Sequence, residues 1–186
     1  MTTNNYSILE PLYDSCEDFE QYYRRVKKHL PNFPKSVMKQ WLFDHFQCVI
    51  NQYTWLGFAN LSFHRESWPT DKILNKIKAW NEPAVESWKQ AFFIDPRFQN
   101  SSLGKFMLQE GTWPEPPLIL NNSTSLHMPD NSVISRWELI EGHHRLAYFR
   151  SLFEKPEWPL SSEHNLWIIT PTKLQKEPPI DHGTIT

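Results

Sequence analysis

Trp137-Glu138-Leu139-Ile140-Glu141-Gly142-His143-His144-Arg145-Leu146 is the stretch on which the reading of this chain turns. The apolar residues before Gly142 predict a strand over about 136–140. The glycine predicts a tight turn, and Leu146, Ala147, Phe149 and Phe153 predict a helix that starts near His143. The first N–H groups of such a helix have no intrahelical partner and carry the positive end of its dipole. A strand, a glycine turn and a helix N-terminus together form a site for a phosphate. Arg145 brings a planar fork of donors that matches phosphate oxygens. His143 and His144 bring donors or acid–base capacity near neutral pH. Glu141 is placed to hold a metal ion or accept a proton. Neighbouring helix residues face different ways, so not all three of 143–145 can serve one ligand.

Working outward, Leu118-Ile119-Leu120 has the look of a short buried strand, and Leu166-Trp167-Ile168-Ile169 of a third. Between the first two lies a polar, turn-like segment, 121–132. Upstream, Asp95-Pro96-Arg97 breaks the chain, and Ser101 or Ser102 caps a helix that runs through Met107 and ends near Gly111.

The first half reads differently. Ser15 opens a helix that continues through Tyr22, Val26 and Leu30. Pro34 opens a second that runs to about Tyr53. Phe58 to Pro69 is ambiguous and reads as a loop. Thr70 and Asp71 cap a short helix with Ile73, Leu74, Ile77 and Trp80 on one face, and another helix spans Pro83 to Phe93. The expectation is an α-helical module over residues 1–94. Its Trp and Phe residues recur at core spacing, which favours a packed interior over a base-stacking surface. Arg24, Arg25, Lys27 and Lys28 read as a solvated helix face.

From Asp95 to Thr170, about two-fifths of the chain, the sequence resembles the ParB N-terminal/sulfiredoxin superfamily. The matching pieces are Pro117-Leu118-Ile119-Leu120 and Leu139-Ile140-Glu141-Gly142-His143-His144-Arg145-Leu146-Ala147. The Gly-His-His-Arg form is most similar to the free-serine kinases of that superfamily and their relatives. The resemblance implies nucleotide phosphate binding by Gly142, His143, His144 and Arg145. The superfamily uses this site for ATP- or ADP-dependent phosphotransfer, CTP hydrolysis or nuclease activity. Sulfiredoxin's catalytic cysteine has no counterpart, since Cys16 and Cys48 both lie in the other half. ParB's helix-turn-helix is not found after the third strand. The serine kinases' catalytic Glu has only positional candidates here: Glu110, Glu115 and Glu138.

Composition sets outer limits. Aromatic residues make up 15% of the chain, which supplies much buriable area. The net charge of −2 disfavours a protein that grips DNA by its backbone. The two cysteines read as reduced, buried thiols. No signal-like apolar region opens the sequence, and no run of about 18 apolar residues occurs, so a cytoplasmic protein is expected. His164 and His182 read as surface-loop histidines. No HExxH, P-loop, Gly-x-Ser-x-Gly or Cys/His zinc spacing is present.

The sequence therefore predicts an α+β protein: a helical module over 1–94, then a ParB/sulfiredoxin-like unit over 95–186 with a short mixed sheet. The expected function is nucleotide binding, with phosphotransfer or nucleotide hydrolysis aided by Mg²⁺ and ATP, ADP or CTP. Glu141, His143 and His144 would be the catalytic groups, with Glu141 as the metal ligand. The alternative is a non-catalytic nucleotide sensor whose helical half binds a protein partner, of the kind found in toxin–antitoxin or phage-defence systems. A nuclease or DNA-binding role is third.

Overall fold

A computed structural model describes residues 6–12, 16–123 and 125–172. The fold is α+β, built on a mixed five-stranded sheet with the strand order β1-β5-β3-β4-β2. The strands are β1 (Leu61–Pro69), β2 (Lys78–Ala79), β3 (Leu118–Asn121), β4 (Trp137–Glu141) and β5 (Glu163–Pro171). β5 lies antiparallel to β1 and parallel to β3. β4 lies antiparallel to β3 and parallel to β2.

Successive strand residues face opposite sides of a sheet, and this splits the interior in two. Leu118, Leu120, Ile140 and Ile169 face one side, where they join Val26, Phe33, Trp41 and Phe58. Ile119, Leu139, Leu166 and Ile168 face the other, with Val85, Phe92, Met107, Leu146 and Phe149. The first side is covered by α1 (Phe19–Val26) and by a continuous helical run, Lys35–Tyr53, made of α2 (Lys35–Val37), a π-helical stretch (Met38–Phe43) and α3 (Asp44–Tyr53). The second is covered by α5 (Glu82–Phe92), α7 (Ser102–Glu110) and α8 (His143–Phe153), with the short α4 (Thr70–Lys76) and α6 (Pro96–Asn100) alongside.

Local signals explain most boundaries. Asp18, not Ser15, caps α1: its carboxylate accepts from the Gln21 N–H at 2.9 Å, while the Gln21 side chain accepts from the Asp18 N–H at 3.0 Å. Ser15 lies outside the described residues. Ser101 caps α7 through the Gly104 N–H, and Gly111 ends it in a left-handed conformation.

Several expectations are corrected. Leu61–Pro69 is a nine-residue strand, not a loop. Its middle is exposed, so alternation is weak in the sequence; a full-length ladder with β5 makes it a strand. With β2, it gives the supposedly all-helical half two strands of the common sheet. The break at residue 94 is therefore bridged by hydrogen bonds, and α5 from the first half packs on α8 from the second. Cys16 and Cys48 are free thiols, and both are exposed rather than buried. His164 is a core residue, 1% exposed, whose ring nitrogens pair with Thr70 Oγ1 at 3.0 Å and Thr112 Oγ1 at 2.8 Å. His182 lies outside the described residues. The basic run is partly internal: Arg25 pairs with Glu17, and Lys27 donates to the carbonyls of Pro31 and Phe33.

A polypeptide of residues 95–186 alone should fail to fold cooperatively, because it leaves the β5 edge unpaired and one sheet face bare. Circular dichroism and amide NMR dispersion check this. A dispersed, cooperatively melting fragment would restore the two-domain division.

Candidate functional site

β4 delivers the site. Glu138 and Ile140 face the side of the sheet covered by the N-terminal helices, Leu139 faces the other, and Glu141 ends the strand. The chain then turns at Gly142 with φ +100. A Cβ there would sit 2.6 Å from the Pro117 Cβ. Glycine is thus required twice, by the left-handed backbone and by the approach of Pro117. Helix α8 follows without a side-chain cap, and its first backbone bond runs from the Leu146 N–H to the Gly142 carbonyl at 2.9 Å.

Arg145 is deeply tied in. Its Nη1 donates to Gln40 Oε1 and to the Glu115 carbonyl, both at 2.7 Å. Its Nη2 pairs with the Glu141 carboxylate at the end of β4. The two charged side chains are only 11% and 15% exposed, so this pair is protected from solvent and screened less than a surface pair. Among the described residues, Nε and one Nη2 hydrogen are left over from the guanidinium's five donors.

The turn residues Glu141 to Arg145 open onto a pocket of about 360 Å³. Trp41 and His45 come to it from the π-helical run and α3, Trp80 and Trp88 from the other side of the molecule. π-helical stretches are rare and often accompany functional sites. Here the stretch buries Gln40 beside Trp41, and His45 departs from helical geometry at φ −135, ψ 28.

The two histidines differ. His143 Nε2 is buried with no hydrogen-bond partner among the described residues, and so is Nε1 of Trp41. Burial holds the His143 imidazole down at about 4, from an ordinary 6.5; the neighbouring His144 and Arg145 charges add to this, and Glu82 opposes it. His144 is open to solvent on one side and packs its ring on Trp88, with centroids 4.1 Å apart. Burial and then the Arg145 charge push it down as well. Both rings are therefore held toward the neutral form in the free protein.

The structure brings Glu141, Gly142, His143, His144 and Arg145 to one pocket. Glu110 and Glu115 are exposed and lie outside it, while Glu138 lines the neighbouring cavity. Sequence reasoning missed Gln40, Trp41, His45, Trp80 and Trp88. Only Gln40 carried a signal, as a polar residue within an apolar helical face. Among the described residues no group of three or more His, Cys, Asp or Glu side chains could hold a metal ion alone. Comparison with protein-family models, curated proteins and solved structures finds no match to this chain.

Gly142→Ala should cost about 2–4 kcal/mol, from backbone strain and overpacking on Pro117; chemical denaturation measures it. A second expectation concerns pH. Folded His143 stays neutral down to about 4, whereas the unfolded side chain protonates near 6.5. Stability is thus complete above this window and falls as pH drops through it, by roughly 3 kcal/mol at the bottom. His143→Asn should flatten that part of the stability–pH curve relative to the parent. His164, also pushed down by burial, titrates in both proteins and cancels. An unchanged curve would show that His143 is not the group responsible.

Proposed function

We propose that this protein binds a nucleotide, with its phosphates at the N-terminus of α8 and its base among the tryptophans of the pocket. The observation that carries the reading is the pairing of an uncapped helix N-terminus with two buried, unpartnered polar atoms, His143 Nε2 and Trp41 Nε1, on the walls of one pocket. Buried polar groups without partners cost stability. A ligand with several acceptor oxygens removes that cost. The pocket's size suits a nucleoside phosphate, and Trp80 and Trp88 offer stacking faces.

The chemistry favoured is phosphoryl transfer or hydrolysis of ATP, ADP or CTP. Mg²⁺ would arrive with the phosphates and need only one protein carboxylate, a role Glu141 fits. When bound, the ion would neutralise phosphate charge. Glu141 would have to loosen its pair with Arg145, freeing the guanidinium for phosphate. A dianion beside His143 would raise its pKa and make it a donor.

One observation favours a second reading, a nucleotide sensor without turnover. Arg145, Glu141 and Gln40 already satisfy one another, so ligand binding would rearrange contacts between the N-terminal helical run and the turn. That rearrangement could be passed to a protein partner on the helical half. A nucleic-acid ligand suits a net charge of −2 poorly. No helix among the described residues is long and apolar enough to cross a membrane. Exposed free thiols suit the reducing cytoplasm.

Thermal unfolding with ATP, ADP, CTP and GTP plus Mg²⁺ tests the reading. A nucleotide at about 100 times its Kd should add about 2.7 kcal/mol. His144→Ala, at an exposed position, should weaken that gain without unfolding the chain. Product formation selects the enzyme, and a shift without product selects the sensor. No shift with any nucleotide would sink the proposal.

A further inference from the structure

Beside the phosphate pocket lies a second cavity of about 380 Å³, which shares Tyr53, Trp80 and Ile140 with it. Among the described residues, its charged lining residues are both acidic: Glu138 and Asp130. Glu138 is 6% exposed, yet one of its two oxygens has no partner among the described residues. The other accepts from the Ser135 N–H at 2.9 Å. Among the described residues, no lysine or arginine lines the cavity. Trp55, Trp80 and Tyr53 form aromatic walls, and Met128 adds a soft, polarizable side.

We infer that this cavity is a binding site for an organic ammonium ion, with Glu138 as its counter-ion and the aromatic residues as its cage. A buried carboxylate with one lone oxygen is costly unless a cation or donor meets it. Aromatic rings attract a weakly hydrated cation through their negative faces. A neutral apolar ligand packs on the rings but leaves the carboxylate unpaired, and an anion suits neither group. Burial pushes the Glu138 carboxyl above its ordinary value, and Glu82 adds to this; an arriving cation reverses the penalty by pairing with the charged form. Asp130, exposed and held by the Ser132 N–H at 2.9 Å, adds negative potential at the rim.

Glu138 and Glu141 are three residues apart on β4, roughly 10 Å along the strand. An ammonium in this cavity and a phosphate at α8 therefore belong to separate moieties or separate ligands. The ammonium site does not rest on the phosphate reading.

Calorimetric titration at about pH 8, where a freely solvated carboxylate is ionised, tests it. The probes are choline and ethanolamine, with dimethylbutanol as the uncharged carbon isostere of choline. Saturable binding of at least one amine is expected, with no binding of the isostere. Glu138→Gln, which keeps the shape, should weaken amine binding by about tenfold or more, the loss expected when a charged partner becomes neutral. Trp80→Leu, at a ring 54% exposed, should weaken it too and serves if Glu138→Gln does not fold. Nucleotide-induced stabilisation of Glu138→Gln is measured in parallel. If it persists while amine binding is lost, the two sites are separate. Absence of amine binding, equal binding of dimethylbutanol, or unchanged affinity in a folded Glu138→Gln would each overturn the inference.

Discussion

A guanidinium that is almost closed off from water has to find its partners inside the protein. Arg145 finds them on three separate stretches of chain: Gln40 in the π-helical run, the Glu115 carbonyl before β3, and Glu141 at the end of β4. Around this one side chain the N-terminal helical run, the β3 approach and the β4–α8 turn are fixed relative to one another. Breaking a pair of this kind leaves a buried charge, which is why such ties are costly to lose even where forming them contributes little. Two of these stretches, the N-terminal helical run and the β4–α8 turn, line the pocket, so their relative placement sets part of its shape.

The elements around Arg145 were readable because their signals are local. Leu118-Ile119-Leu120 is apolar on both faces, and β3 is covered on both faces. Gly142 is one of five glycines, and its positive φ belongs to a turn that the flanking strand and helix already implied. The helix starts at Pro34 and Ser101 follow from proline and serine chemistry at N-termini. What escaped was non-local. β1 has exposed residues through its middle, and only β5 makes it a strand. His164 looked like a loop histidine because Thr70 and Thr112, which satisfy its ring, are far away in sequence.

The site shows the same division. Glu141 to Arg145 were legible as a group, since turn and helix chemistry concentrate in five residues. Their states were not. The packing of His144 and the occupation of Arg145 depend on Trp88, Gln40 and the Glu115 carbonyl, none of which is near in sequence. Residue types alone suggest donors or acid–base groups near neutral pH; the surroundings hold the two histidines toward the neutral form. Trp80 shows the opposite failure. Helical spacing put it with Ile73 and Ile77 in the core, but those two are buried and its ring is half open at the junction of two cavities.

The pairing of β1 with β5 also bears on how the chain comes to be folded. Ser62 and Thr170, hydrogen-bonded across that ladder, are 108 positions apart. During synthesis at the usual elongation rates, β1 waits roughly 5–20 s for its partner to be made. In that interval the strand's edge and the apolar residues beside it have no cover of their own, and closing so long a loop is slow. The polar middle of β1, His64-Arg65-Glu66-Ser67, is then a safeguard for the nascent chain, because a charged, exposed strand is a poor template for pairing with another molecule. The feature that hid this strand in the sequence is the one that lets it wait.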